Sequence, residues 1–85
     1  MEITCSASRL THSDVVLYCF MQSVQLPTAD QLLQILKADA NLRMARPLYV
    51  WTVDGIAEVP IGMIRIKERM PTISSRGYVV SMQGL

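Results

Sequence analysis

Residues 59–82, which read VPIGMIRIKERMPTISSRGYVVSM, constrain the fold of this chain more than any other stretch. Four apolar side chains in its first half recur at spacings of four, three and four residues, namely Val59, Met63, Ile66 and Met70. Side chains at these spacings lie on one face of a helix. The pattern therefore predicts a helix over about 60–70, with Pro60 tolerated in its first turn and Pro71 ending it.

Two short β-prone segments follow this predicted helix. Thr72–Ser74 and Tyr78–Val80 are rich in β-branched and aromatic residues, and Ser75-Arg76-Gly77 lies between them at a turn. The arrangement predicts a β-hairpin over about 72–80.

A first upstream helix is predicted from Val15 to Val24. Thr11 or Ser13 can cap its start, and the carboxylate of Asp14 suits the positive end of a helix dipole. The segment is apolar nearly all round, which predicts a buried central helix.

A second upstream helix is predicted from Thr28 to about Ala38. Thr28 and Gln31 have the spacing of a capping box. The apolar side of this helix consists of Leu32, Leu33, Ile35 and Leu36. Pro27 disfavours a helical conformation at the residue before it, so the first helix ends there and the two helices form a helix-turn-helix-like pair.

Two further segments have β character. Glu2–Ser8 is predicted to form a short strand. Leu48–Val53 is β-prone and ends at Asp54-Gly55, a turn signal, so it is either a strand or a loop pinned by Trp51.

Length and charge narrow the class of protein. A chain of 85 residues predicts one domain over 1–85, and a hydrophobic fraction of 51% supports a core without disulfides or metal. The net charge of +1 is unevenly distributed, since residues 1–42 carry −2 and residues 43–85 carry +3. A net charge of +1 is low for a nucleic-acid binder, so the positive second half is a local footprint of the kind a nucleic-acid contact needs and not the charge of a strongly basic protein.

Metal, membrane and catalytic functions are not predicted. Cys5 and Cys19 form no CxxC pair and His12 is the single histidine, so we expect no metal or cofactor and two buried free thiols. No apolar run reaches the ~20 residues of a membrane span and the start lacks the pattern of a signal peptide, which predicts a cytoplasmic location. No carboxylate is placed to orient His12 beside a thiol, and no Gly-rich phosphate loop is present, so no enzyme is predicted.

Together, these elements resemble the winged helix-turn-helix DNA-binding domain of the OmpR/PhoB-type transcription regulators, particularly its ToxR/CadC-like branch. The run VPIGMIRIKERM keeps the apolar skeleton and basic residues of the family's recognition helix, and TISSRGY matches its hairpin in order and spacing. Upstream, LTHSDVVLYCF is similar to the family's first helix, and Thr28 to Ile35 is similar to its second. The resemblance implies an α+β winged helix-turn-helix fold, with three helices, a C-terminal β-hairpin wing and a short N-terminal strand.

The resemblance also implies a sequence-specific, bacterial-type transcription regulator that binds double-stranded DNA. The helix over about 60–70 would enter the major groove, and the wing over about 72–80 would contact the adjacent backbone. The implied DNA-contacting residues are Arg65, Lys67, Arg69, Thr72, Ser74 and Arg76. Arg65 is the candidate for bidentate guanine readout, while the others contact phosphates or, for Arg76, the minor groove. A homodimer on adjacent half-sites is implied as well.

The alternative is a winged-helix interaction module that does not bind DNA and holds a protein partner. The low net charge, the apolar Ile64 and small Gly62 on the would-be groove face, and the six methionines favour this alternative. Salt-dependent binding to duplex DNA separates the two hypotheses.

Overall fold

The computed structural model describes residues 2–38, 48–61 and 65–83. Over these ranges the chain forms two helices and five strands. In chain order they are β1 (Glu2–Cys5), α1 (His12–Gln22), α2 (Ala29–Ala38), β2 (Leu48–Thr52), β3 (Gly55–Val59), β4 (Lys67–Arg69) and β5 (Val80–Gln83). The strands form two antiparallel sheets, one of β1 and β5 and the other in the order β2-β3-β4.

Strands β2 and β3 form a tight hairpin at the position indicated by Asp54-Gly55. Their register runs from Leu48 opposite Val59 to Thr52 opposite Gly55. Gly55 has φ of +150°, and a Cβ built on it would lie 2.6 Å from the carbonyl oxygen of Arg69. Glycine is required at this position because a side chain would collide with the backbone of β4. Of the two alternatives for Leu48–Val53, the strand is confirmed.

The segment around Gly77 connects the two sheets. Leu10 and Gly77 exchange two backbone hydrogen bonds of 2.8 and 3.0 Å. Tyr78 then bonds to β2 in a parallel bridge, donating to the carbonyl oxygen of Tyr49 over 2.7 Å and accepting from the N–H of Trp51 over 2.9 Å. The C-terminal segment therefore lies between the N-terminal segment and β2.

Helix α2 covers one face of the β2-β3-β4 sheet. The predicted capping box is confirmed, because Gln31 N–H donates to Thr28 Oγ1 over 3.2 Å and Thr28 N–H donates to Gln31 Oε1 over 3.0 Å. The buried cluster that joins this helix to the sheet consists of Leu32, Ile35, Leu36, Leu48, Val50, Ala57, Val59 and Val80.

Helix α1 covers part of the opposite face. Of the two predicted caps, Thr11 is the N-cap, and Ser23 ends the helix in the left-handed conformation with φ of 54°. Val15 packs with Trp51, Ile56 and Val79 in a second buried cluster. Trp51 is fixed there by a 2.8 Å hydrogen bond from its indole Nε1 to the carbonyl oxygen of Leu10.

The prediction that α1 is buried on all sides is wrong. Val15 is the only buried residue of the helix. Four apolar side chains on the outer side are exposed, with exposed fractions of 62% for Val16, 58% for Leu17, 84% for Phe20 and 69% for Met21. Nothing in the described chain covers this side, since α2 packs on the other face of the sheet.

The predicted winged helix-turn-helix fold is also wrong, because the described residues contain two helices rather than three. In the segment predicted as the third helix, Lys67–Arg69 forms strand β4, antiparallel to β3, with Arg69 opposite Ile56 and Lys67 opposite Glu58. Residues 62–64 lie outside the described ranges. Pairing with β3 gives Lys67–Arg69 backbone hydrogen-bond partners that a local apolar spacing does not reveal.

The predicted hairpin wing over 72–80 is wrong for a similar reason. Thr72–Ser75 is a turn closed by a 3.1 Å bond from the Ser75 N–H to the Thr72 carbonyl oxygen. The segment beyond it does not fold back on Thr72–Ser74. Instead it pairs with Leu10, with β2 and, through β5, with β1.

Candidate anion-binding cleft

An open cleft of about 460 Å³ lies on the same face of the β2-β3-β4 sheet as α1, in the part of that face that the helix does not cover. Strand pairing determines which residues form its floor, since directly opposed residues share a face. Tyr49 is opposite Glu58, and Ile56 is opposite Arg69, so these four side chains lie on the cleft side of the sheet. The rim of the cleft is formed by Arg9, Met70, Thr72, Ser74, Ser75 and Arg76.

Arg69 and Glu58 form an ion pair on this floor. Arg69 Nη2 lies 2.9 Å from Glu58 Oε2, across a diagonal of the β3–β4 ladder. Glu58 Oε2 is buried and has no aligned hydrogen bond within the described part of the chain, so charge rather than a directed bond holds the pair. The side chain of Arg69 is 54% exposed, and the pair leaves its remaining N–H groups free to face the cleft.

The backbone bridge between Leu10 and Gly77 places Arg9 and Arg76 beside the cleft. Each arginine immediately precedes one of the two bridged residues, so the paired backbones place both arginines beside the same opening. Both residues are exposed. Neither has an ion-pair partner among the residues the structure describes.

The turn Thr72–Ser75 contributes three hydroxyl groups to the rim. Thr72 Oγ1 lies 3.1 Å from Ser74 Oγ and 3.2 Å from Ser75 Oγ, and Ser75 Oγ accepts a 2.8 Å hydrogen bond from the Thr72 N–H. Because hydroxyl hydrogens rotate, this cluster can turn its O–H groups towards an acceptor in the cleft.

The cleft is positively charged. Three arginines and one glutamate line it, which gives a net charge of +2 on a chain whose overall charge is +1. Arginine forks and hydroxyl groups are the donors that suit phosphate oxygens. The arrangement can bind an oxyanion. The apolar side chains of the cleft, Tyr49 and Ile56 on the floor and Met70 on the rim, together form an apolar wall that can contact a larger group attached to the oxyanion.

Four of the six residues implied as DNA contacts meet in this cleft, namely Arg69, Thr72, Ser74 and Arg76. The other two, Arg65 and Lys67, line an adjoining depression beside Pro60, which shares Glu58 with the cleft. Sequence reasoning missed Arg9, Ser75 and Tyr49. Ser75 adjoins the predicted residues, but nothing local in the sequence indicates that Arg9 or Tyr49 lies beside them.

A second cavity of about 640 Å³ lies between α1 and the β2–β3 turn. Its lining is mainly apolar and includes Val16, Trp51 and Val53. Asp54 is the one carboxylate among the described residues that line it, and none of these is a lysine or arginine. The cavity adjoins the exposed side of α1, since Val16 belongs to both.

The environment of the two thiols disfavours their thiolate forms. Cys5 is exposed and Cys19 is half-buried, so the prediction that both are buried is wrong. Partial burial raises the pKa of both thiols, which keeps them protonated and weakly nucleophilic. Within residues 2–38, 48–61 and 65–83, no group of three or more His, Cys, Asp or Glu residues could hold a metal ion.

Neither helix of the described chain is long and apolar enough to cross a membrane. Comparison with protein-family models, with curated proteins and with solved structures finds no match for the chain. The resemblance to the OmpR/PhoB-type family stays a prediction, while the three-helix fold that it implied is wrong.

Proposed function

We propose that this chain binds nucleic acid by holding backbone phosphate groups in the cleft lined by Arg9, Arg69 and Arg76, the arginine cleft. The observation that carries the proposal is the meeting of Arg9, Arg69 and Arg76 with three hydroxyl groups in one open cleft. Phosphate contacts of this kind position a protein on DNA without reading its sequence. The recognition helix is absent from the described chain, so base-specific readout is no longer part of the proposal.

Salt dependence gives the first test of this function. Arg9 and Arg76 are unpaired within the described chain, whereas Arg69 already faces Glu58. Two phosphate contacts predict a log–log salt slope of about −1.8 on duplex DNA, so a fourfold rise in salt weakens binding by about 12-fold. Fluorescence anisotropy of a labelled duplex at 50 and 200 mM salt measures this slope. Binding that is absent, or insensitive to salt, would refute the proposal.

A matched pair of double variants locates the contact. R9Q/R76Q removes two charges from the cleft, and R65Q/K67Q removes two charges from the neighbouring depression. We expect R9Q/R76Q to weaken duplex binding about tenfold and to flatten the salt slope, because each lost phosphate contact removes about 0.9 from it. R65Q/K67Q is expected to stay within about twofold of the original affinity. The reverse ranking would place the contact in the depression beside Pro60 instead.

The second candidate function is binding of a partner protein through α1. Val16, Leu17, Phe20 and Met21 are each more than half exposed, and they lie at helical spacings on one side. Exposed apolar side chains in such a group are typical of interaction surfaces. Asp54 supplies the one carboxylate, and His12 the one basic side chain, among the described residues that line the adjoining cavity. Because none of these residues is a lysine or arginine, the partner that fits is an amphipathic helix with a basic residue facing Asp54.

Synthetic helical peptides test this second function. A Leu/Lys amphipathic peptide is expected to shift the fluorescence of Trp51, which lines the cavity and is the single tryptophan of the chain. The effect should weaken in F20Q and in D54N, and a Leu/Glu peptide of the same length should not produce it. Equal binding of both peptides, or of neither, refutes this candidate. Self-association in sedimentation experiments would identify a second copy as the occupant instead.

A further inference from the structure

We infer that the arginine cleft binds the terminal phosphate monoester of a nucleotide, with the attached nucleoside against the apolar wall. This inference rests on the proposed nucleic-acid function and specifies which part of the ligand enters the cleft.

The shape of the cleft favours a chain end over the side of a duplex. Its volume of about 460 Å³ falls in the range of about 300–1,000 Å³ that is typical of small-ligand pockets. A backbone phosphate of a duplex is flanked by nucleotides on both sides. A terminal phosphate is flanked on one side only, so it can approach Arg69 on β4 as well as Arg9 and Arg76.

The charge of the cleft matches a monoester better than a diester. Its lining groups carry a net charge of +2, because Glu58 offsets one of the three arginines. A phosphate monoester carries about −1.5 to −2 at neutral pH, and the second proton leaves with a pKa of about 6. A backbone diester carries a single negative charge and has one fewer charged oxygen to accept the available N–H and O–H groups.

The wall beside these donors suits a nucleoside. Tyr49 is half-buried and Met70 is 86% exposed, and both line the same cleft as the arginines. Aromatic rings in positively charged grooves stack on bases, and the thioether of methionine adapts to flat rings. Free inorganic phosphate has no nucleoside to pack against this wall. A nucleoside without phosphate has no anion for the arginines to bind.

The test compares two oligonucleotides that differ only in whether the 5′ end carries a phosphate. We expect a labelled single-stranded oligonucleotide with a 5′-phosphate to bind the full chain at least tenfold more tightly than the same strand with a 5′-hydroxyl. R9Q/R76Q should abolish the difference, and R65Q/K67Q should retain it. AMP should compete with the 5′-phosphorylated strand at lower concentrations than either adenosine or inorganic phosphate.

The outcomes separate the inference from the proposed function. Equal, salt-dependent binding of both strands would overturn the terminal-phosphate inference and leave the nucleic-acid function standing. Binding of AMP without binding of either strand would support the monoester site and overturn the nucleic-acid function. If AMP and both strands fail to bind, both are refuted. A Tyr49→Leu variant tests the wall: it should weaken AMP binding more than phosphate binding, and an equal loss would overturn the assignment of the nucleoside.

Discussion

Ser6 and Val79 are joined by two hydrogen bonds that involve both backbone and side chain. The Ser6 N–H donates to the Val79 carbonyl oxygen over 2.8 Å, and the Val79 N–H donates to Ser6 Oγ over 3.0 Å. Ser6 Oγ in turn donates to the Ser8 carbonyl oxygen over 2.9 Å. The hydroxyl group therefore serves as the partner of a buried amide just beyond the end of the β1–β5 ladder.

Replacing Ser6 with alanine should destabilise the fold. The S6A substitution leaves the buried Val79 N–H without its acceptor, which costs about 1–3 kcal/mol in the free energy of unfolding. Urea denaturation followed by circular dichroism measures the change. S8A is the matched control, because Ser8 is exposed and only its carbonyl oxygen takes part in this arrangement. Equal effects of the two substitutions would show that the hydroxyl is not the acceptor.

The two helix caps should differ in their contribution to stability. In α2, Gln31 N–H donates to Thr28 Oγ1 over 3.2 Å and the reciprocal bond completes the box, so T28A should cost about 1 kcal/mol. In α1, the bond from Asp14 N–H to Thr11 Oγ1 is longer, at 3.4 Å, and Thr11 Oγ1 also donates to Asp14 Oδ2 over 3.0 Å at an exposed site. T11A should therefore cost less than T28A, about 0.5 kcal/mol. Thermal and urea unfolding compare the two variants directly. A larger loss in T11A would contradict this ranking.

The exposed side of α1 should tolerate substitution, and its inner side should not. Phe20 is 84% exposed, so F20Q should change the free energy of unfolding by less than about 0.5 kcal/mol. Val15 is 2% exposed, and V15A should cost about 1–3 kcal/mol because it removes buried methyl groups. A large loss in F20Q would mean that another surface covers this side of the helix.

The thiols give a prediction for pH dependence. Partial burial raises the pKa of Cys5 and Cys19, so the folded chain holds these protons to higher pH than the unfolded chain does. Their contribution to stability is therefore fully present below the unfolded pKa of about 8.5 and is lost as pH rises through the folded values. Urea unfolding between neutral and alkaline pH should show this decline, and C5S/C19S should reduce it.

Alkylation provides an independent measurement of the same shift. Iodoacetamide reacts with the thiolate, so at pH 7.5 the native chain should react more slowly than the chain in denaturing urea. The difference in alkylation rate between the native and the unfolded chain should become smaller as pH rises. Native thiols that react as fast as unfolded ones at pH 7.5 would show that their pKa values are not raised.

The helix caps and the β2–β3 turn could be predicted from local signals in the sequence. The capping box of Thr28 and Gln31, the Thr11 cap, and the turn at Asp54-Gly55 each depend on residues within four positions of one another. Their chemistry is complete within a short segment, so it can be inferred from the sequence alone.

Pairing between distant segments could not be inferred in the same way. The apolar spacing from Val59 to Met70 favours a helix, but the β3 edge competes for the same backbone groups, and Lys67–Arg69 pairs with it instead. Prediction of the cleft from the sequence is limited in the same way. Arg69, Thr72, Ser74 and Arg76 are close in sequence and were predicted together, whereas Arg9 joins them only because Leu10 pairs with Gly77.

The pairing of β1 with β5 has a consequence for the timing of folding. Glu2 is opposite Gln83 and Cys5 is opposite Val80, so nearly the whole described chain lies between the two strands. During synthesis, β1 leaves the ribosome before the other described elements, and it has no β5 to pair with until that strand has followed. Helices form in about a microsecond, whereas joining distant segments is slow because the entropy of closing the loop is lost before their contacts form. Closure of β1 on β5 is therefore expected to limit the folding rate, and mutations in this ladder should slow refolding more than mutations in α1.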